Sequence, residues 1–331
     1  MKIAFIANTR TDSSEFQVEY DPPHTIELIK HGIEQTGHKY VFIEANDYIL
    51  ASLKQERPDL VLNRAEGIYG DSRESHVPAI LEMLRIPYVG SNVITTAVCL
   101  NKGWTKKILA YENLPTPKFF VLNTIEELHD YPFSFPIILK PNEEGSSVGI
   151  NEDNVVFDLD SMKIKLVQMF KDYDQGILVE EFIQGREFSI GVLGRSNGTL
   201  EVLPILEVNF DKLPADTLGV FGQRAKTLYD DLDHYECPAN ISEQLKEYLE
   251  SLTLAICKVL NVRDFARIDY RMNKEGEVFF LEINPLPGMD FHMEEKDFSF
   301  YPFMAFKADY SYDELVKRLL ESACYRYHLK L

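Results

Sequence analysis

The chain predicts an open parallel α/β domain at its N-terminus and an α+β arrangement after it. Two observations carry this. Over the first hundred residues short apolar runs alternate with helical patterns, which implies parallel strands joined by crossover helices. Beyond about residue 116 strands follow strands with only occasional helices between them, as in antiparallel sheet.

KIAFIAN (2–8) is a buried strand, TIELIKHGIEQTGH (25–38) an amphipathic helix ending at Gly37, and YVFIEA (40–45) a second strand. DLVLNRAEG (59–67) is a third strand running into a turn. SRESHVPAILEMLR (72–85) is a helix opened by a serine cap, and IPYVGS (86–91) returns to strand. Ligands of such sheets sit beyond the carboxyl ends of the strands, so 8–21 and 64–74 form the binding edge. One long helix is predicted over 92–112, and LPTPKFF (114–120) has the two prolines of a linker. Then come strand PIILKP (136–141), strand SVGI (147–150), helix 158–173 and strand ILVEEF (177–182). Longer strands follow at 187–194, 200–210, 265–272 and 277–284, with helices at 242–260 and 311–327. The expected units are 1–100, 101–185 and 186–331.

Composition narrows the function. Lys+Arg of 34 against Asp+Glu of 53 leaves a net charge of −19, which repels phosphate backbones and anionic lipid and disfavours nucleic-acid or membrane partners. Any polyanionic ligand must therefore be met by local cations. Cys99, Cys237, Cys257 and Cys324 are far apart, which argues against a zinc site or a disulfide framework and suits a reducing cytosol. No apolar run reaches the roughly 18 residues a membrane span needs, and the N-terminus lacks a signal-peptide pattern. A cytoplasmic protein is expected.

Three segments can carry chemistry. In ILKPNEEGSSVGI (138–150), Lys140 closes a strand before a loop whose glycines let backbone N–H groups face an anion, with Ser146 and Ser147 adding hydroxyls. A plain glycine-rich hairpin is the alternative. ILVEEFIQGREFSIGVLG (177–194) breaks at Gly185, where exposed backbone could read an adenine edge and Glu187 could meet ribose hydroxyls; on local grounds alone, two strands with solvated carboxylates explain it better. FARIDYRM and FFLEINPLPGMD place Arg267 with Asp269, and Glu282 with Asn284, two apart and so on one strand face each. Two carboxylates and an amide are hard oxygen ligands suited to magnesium on phosphates, and Arg267 could stabilise developing negative charge. A salt-bridged strand pair is the competing account.

Taken in order, IPYVGS with Asn101-Lys102, LPTPKF, LKPNEEGSSVGI, VEEFIQGRE, FARIDY and LEINPLPGM resemble the ATP-grasp superfamily, and within it the D-alanine–D-alanine ligases, over most of the chain. The resemblance implies an ATP-grasp fold in which two α+β subdomains sandwich ATP behind the N-terminal domain. It also implies an ADP-forming carboxylate–amine ligase using Mg2+, or Mn2+ in its place, and a homodimer through the first domain. Lys102, Lys140 and Lys226 match lysines at the nucleotide phosphates, with Ser146 and Ser147 in the covering loop and Ser146 also orienting the first substrate. Glu180, Phe182 and Ile183 match the adenine hinge, and Glu187 the ribose contact. Arg267 matches the arginine of the acyl phosphate and tetrahedral intermediate; Asp269, Glu282 and Asn284 match the metal ligands.

Departures cluster on the substrate side. Family members hold the second amino acid's carboxylate with a Ser-Leu pair soon after the PGM turn, and by position Met293 and Glu294 replace it here. The mobile-loop tyrosine is Thr227, the early His-Gly turn is Glu66-Gly67, and EYDPPHTIE (19–27) stands in for an amino-terminal Glu-His-x-Val-Ser segment. Glu19 or Asp21 could bind a substrate ammonium, and His292 or Lys296 could compensate the acids near 294. A substrate pair other than two D-alanines is expected, with a less acidic or cationic amine, although these acids also suit a merely solvated surface. An authentic D-alanine–D-alanine ligase and a non-catalytic ATP-binding protein are the alternatives. The aromatic stretch 298–306 reads equally as core, dimer contact or substrate wall.

Overall fold

The computed structural model describes all residues except 13, 15–16, 130–133, 229–231 and 293–296. Strands β1 (Lys2–Ala7), β2 (Lys39–Glu44), β3 (Leu60–Arg64) and β4 (Tyr88–Val89) form the expected parallel sheet, ordered β2-β1-β3-β4. Helices α1 (Pro23–Gln35), α2 (Ile49–Glu56) and α3 (His76–Leu84) lie between them. The helix α2 was not foreseen; its apolar face is only Ile49 and Leu53. The expected serine cap also fails: a short 3₁₀ turn (Arg73–Ser75) precedes α3, and the Ser75 hydroxyl bonds back to the Ser72 carbonyl.

The predicted long helix is two, α4 (Val93–Leu100) and α5 (Lys102–Tyr111). Asn101 breaks it: its backbone is extended, its side chain accepts from Trp104 N, and Lys102 N turns to the Asn142 carbonyl. A second sheet, ordered β5-β8-β6-β7, combines β5 (Phe119–Leu122), β6 (Ile137–Pro141), β7 (Val155–Val156) and β8 (Ile177–Glu181) with α6 (Leu159–Asp172). Part of the predicted linker is thus strand β5. Residues 147–150 are turn instead of strand, because Ser146, Ser147 and Gly149 all take positive φ; the hairpin returns at β7.

The third sheet is antiparallel, built from β9 (Arg186–Gly194), β10 (Leu200–Val202), β11 (Leu206–Val208), β12 (Tyr235–Glu236), β13 (Phe265–Met272) and β14 (Val278–Asn284). The run 200–210 divides into two strands around Pro204, which has no N–H for a ladder. Helices α7 (Gln223–Leu228) and α8 (Glu243–Val259), a small ribbon of β15 (Phe291–His292) and β16 (Asp297–Phe298), and helices α9 (Phe300–Lys307) and α10 (Tyr312–Tyr327) complete the chain.

One apolar cluster joins the first and third sheets: Ile3, Phe5 and Leu62 share it with Leu193, Phe265, Tyr301 and Leu319. Helix α10 is the wedge. Ser311 caps it by accepting from Glu314 N, and Leu315, Val316, Leu319, Leu320 and Ala323 are buried, each large one contributing about 1.5–3 kcal/mol. Asp264 fixes the join, accepting from Gly90 N at 2.7 Å and the Ser322 hydroxyl at 2.7 Å. No described helix is long and apolar enough to cross a membrane.

Candidate active site

Strands β13 and β14 build the floor of a cavity of about 330 Å³. Their register sets Arg267 opposite Asn284 and Asp269 opposite Glu282, and all four line the cavity. Strand β9 supplies Ser189, whose hydroxyl donates to Asp269 Oδ1 at 2.7 Å. The guanidinium of Arg267 grips Asp269, Nε at 3.0 Å from Oδ1 and Nη2 at 2.9 Å from Oδ2. The salt bridge and the convergent face are therefore both real. Asn284 has its amide fixed by Leu286 N, which donates to Oδ1 at 2.8 Å.

Cations gather over this floor. Lys102, at the start of α5, lies 3.6 Å from Glu282. Lys226 on α7 donates to the Ser147 hydroxyl at 2.8 Å, which joins α7 to the glycine-rich loop. Burial alone would raise the Glu282 pKa, but Lys102, Arg267, Lys140 and Lys226 hold it well below the usual carboxylate range. Lys226 itself is pulled down, by burial and then by Arg267. In a chain of net charge −19 this concentration of positive charge is the kind of site a polyanion needs.

The apolar side chains Ile138, Ile150, Val220, Phe182 and Leu281 also line the cavity, together with residues 180–183. The Glu180 carboxylate is 1% exposed and held between Lys106 at 2.5 Å and Lys140 at 2.8 Å, so its side chain anchors lysines while the residue still lines the cavity beside Phe182 and Ile183. Glu187 lines the cavity and pairs with Arg271 at 2.9 Å. Gly185 turns the chain between β8 and β9 at φ +150, and a Cβ there would lie 2.0 Å from the Met272 carbonyl.

The opposite end is reached from the first sheet. Arg10, Val18, Glu19, Arg64 and Glu66 line it, on the predicted binding edge. Arg64 is 2% exposed, pairs with Asp21 at 3.1 Å and Glu66 at 3.1 Å, and donates to the Leu286 carbonyl. Asp21 thus stands behind Arg64, outside the cavity lining, and is not presented to a substrate ammonium; burial, opposed by Arg64, pushes its pKa up to about 6. Glu19 is held by Arg73 at 3.1 Å, and Arg73 also pairs with Glu144 at 3.1 Å and donates to the Glu143 carbonyl at 2.8 Å. The first sheet is so tied to the glycine-rich loop, where a Cβ on Gly145 would meet Glu19 Oε1 at 2.0 Å. His292 packs on His24, ring centroids 5.5 Å apart, and is not part of the lining; Met293 and Glu294 lie outside the described residues.

Residues 108–321 match the family model for the D-Ala–D-Ala ligase C-terminus. The chain is 32% identical to the uncharacterized protein y4sG of Sinorhizobium fredii, over 89% of this chain and 86% of that one. It is 30% identical to the D-alanine–D-alanine ligase of Aquifex aeolicus, over 87% and 91%. The crystal structure of the Bacillus anthracis ligase complexed with ATP covers 99% of both chains at TM-score 0.74 and 25% identity. The chain belongs to the D-alanine–D-alanine ligase family. Ser299 and Phe300 stand in the cavity wall, and Ser299 directly precedes α9. The aromatic stretch is core at Tyr301, Phe303 and Met304 and cavity wall at Phe298 and Phe300. Sequence reading missed Arg64, Arg73, Lys106 and Arg271; only Arg271, two residues past Asp269 on one strand face, left a local signal.

Beside this ligase-family site, Glu74 is 5% exposed and its Oε2 has no hydrogen-bond partner among the described residues. Burial, then the nearby Glu19, raises its pKa. An acid whose pKa rises on folding takes up a proton, so its stability contribution is complete below the unfolded value and is lost as pH climbs towards the folded one. Glu74→Gln should therefore raise Tm at pH 8 by roughly 1–2 °C per kcal/mol recovered and change it little at pH 4. Equal shifts at both pH values in a thermal melt would count against this burial account.

Proposed function

We propose that the chain is an ATP-dependent carboxylate–amine ligase releasing ADP and phosphate. The observation that carries this reading is the cavity in which Asp269, Glu282, Asn284 and Arg267 share a floor, with Lys140, Lys226, Glu19 and Glu66 also in its lining and Lys102 3.6 Å from Glu282. The proposed units are 1–100, 101–185 and 186–331, with ATP between the second and third. A homodimer through the first belongs to the same proposal.

Two carboxylates and an amide carbonyl are hard oxygen donors and fit magnesium, which would be held by Asp269, Glu282 and Asn284. The ion would neutralise phosphate charge. A carboxylate is a poor electrophile. In this mechanism a substrate carboxylate oxygen attacks the γ-phosphorus and ADP leaves. The amine then attacks the acyl carbon and phosphate departs. Lys102, Lys140 and Lys226 would hold phosphate oxygens, with Ser146 and Ser147 in the covering loop and Lys226 bonded to that loop. Arg267 would stabilise the oxyanion. Glu187 would meet the ribose, and Phe182 and Ile183 would flank adenine. Closure of the loop, tied down by Arg73, would exclude water from the acyl phosphate.

The relatives' names favour two D-alanines as substrates at least as well as any other pair. Glu66 in place of the family's histidine supports a different pair. The test is ADP formation from ATP and Mg2+ with D-alanine or other carboxylates, using hydroxylamine to trap the acyl phosphate as hydroxamate. Hydroxamate that requires both ATP and a carboxylate is expected. ATP binding without ADP formation across the panel would instead identify a nucleotide-binding protein without turnover.

A further inference from the structure

We propose that Asp290 sets the class of amine this enzyme accepts, selecting a nucleophile that carries a second positive charge over an amino acid with a free α-carboxylate. The inference rests on the ligase reading and concerns the substrate end of the same cavity. Asp290 follows the Pro285–Met289 turn that leaves the floor strand β14, and it lines the cavity. Its Oδ1 accepts from the Thr25 hydroxyl at 2.6 Å, and its Oδ2 lies 3.3 Å from the Ser299 hydroxyl. Its backbone carbonyl takes Ser299 N at 2.8 Å. The hydroxyl and amide at the entrance to α9, donors that could hold a substrate carboxylate, are thus already turned to Asp290.

The surroundings favour a cation there. Among the described residues no lysine or arginine forms an ion pair with Asp290, and the nearby Arg64 is engaged by Asp21 and Glu66. Phe298, Phe300 and Tyr235 form the adjoining wall, with Tyr235 edge-on to Phe300 at 4.9 Å between centroids. Phe300 is itself stacked on Phe221 and carries the Arg267 guanidinium 5.9 Å from its ring centre, so the selection falls to the Asp290 carboxylate, which attracts an ammonium and repels a second anion.

The experiment compares D-alanine, D-alaninamide and 1,3-diaminopropane as nucleophiles for the wild-type protein, with hydroxylamine as the control for acyl-phosphate formation. The proposal expects kcat/KM for the diamine to exceed that for D-alanine by about tenfold or more, with alaninamide between them. Asp290→Asn should narrow that ratio by about tenfold. Hydroxamate formation accompanied by a preference for D-alanine over the diamine would overturn the proposal and leave the ligase reading standing. Absence of hydroxamate with every carboxylate would remove the ligase reading and the proposal with it. The wild-type comparison decides even if Asp290→Asn folds poorly through loss of the Thr25 bond.

Discussion

Arg267→Ala is expected to lower kcat about 10²–10³-fold while ATP still binds. The guanidinium stands on the cavity floor with its side chain 14% exposed, fixed by two bonds to Asp269, so it meets developing charge without reorganising. Burial works against its charge, but Asp269 outweighs burial and keeps it protonated at any working pH. Loss of the metal would not explain such a defect, because removing a cation beside Asp269 should tighten magnesium binding. Arg267→Lys should recover little, since an ammonium cannot make the paired bonds to Asp269 and face an oxyanion together. Steady-state ADP release beside calorimetric ATP binding makes the check. A kcat within threefold of wild type would remove Arg267 from the proposed chemistry.

The floor was legible in the sequence for a physical reason. Residues two apart on a strand share a face, so Arg267 with Asp269 and Glu282 with Asn284 could be placed before any tertiary contact was known. The parallel sheet was legible from its alternation with helices. What stayed hidden depends on partners distant in sequence. Nothing near Glu180 announces that Lys106 and Lys140 both reach it, and nothing near Arg64 announces Asp21 and Glu66. From sequence alone Asp21 therefore looks like a free carboxylate. The helix break at Asn101 escaped because asparagine is tolerated inside helices, and only its bond to Trp104 N makes it a cap.

Lys106→Met is expected to lower stability by about 3–5 kcal/mol, because it removes one partner of a buried charge. Lys106 is fully buried, with Nζ 2.5 Å from Glu180, 3.1 Å from the Thr116 hydroxyl and 3.2 Å from the Phe280 carbonyl. Burial depresses its pKa to about 8 against the pull of Glu180, so the charged form persists only because that carboxylate is there. At 331 residues such a loss should appear as a Tm fall of roughly 4–7 °C. The variant should also have a kinetic signature. Glu180 now divides its charge between two lysines; with Lys106 gone it would hold Lys140 alone and draw that lysine away from phosphate. KM for ATP should then rise by about tenfold, with kcat changed less. Lys106→Met combined with Glu180→Gln separates the effects. If Glu180 matters as the shared anion, the double variant should be more stable than Lys106→Met and recover part of its ATP affinity. Stability losses that simply add would show Lys106 to be a packing residue with no hold on Lys140.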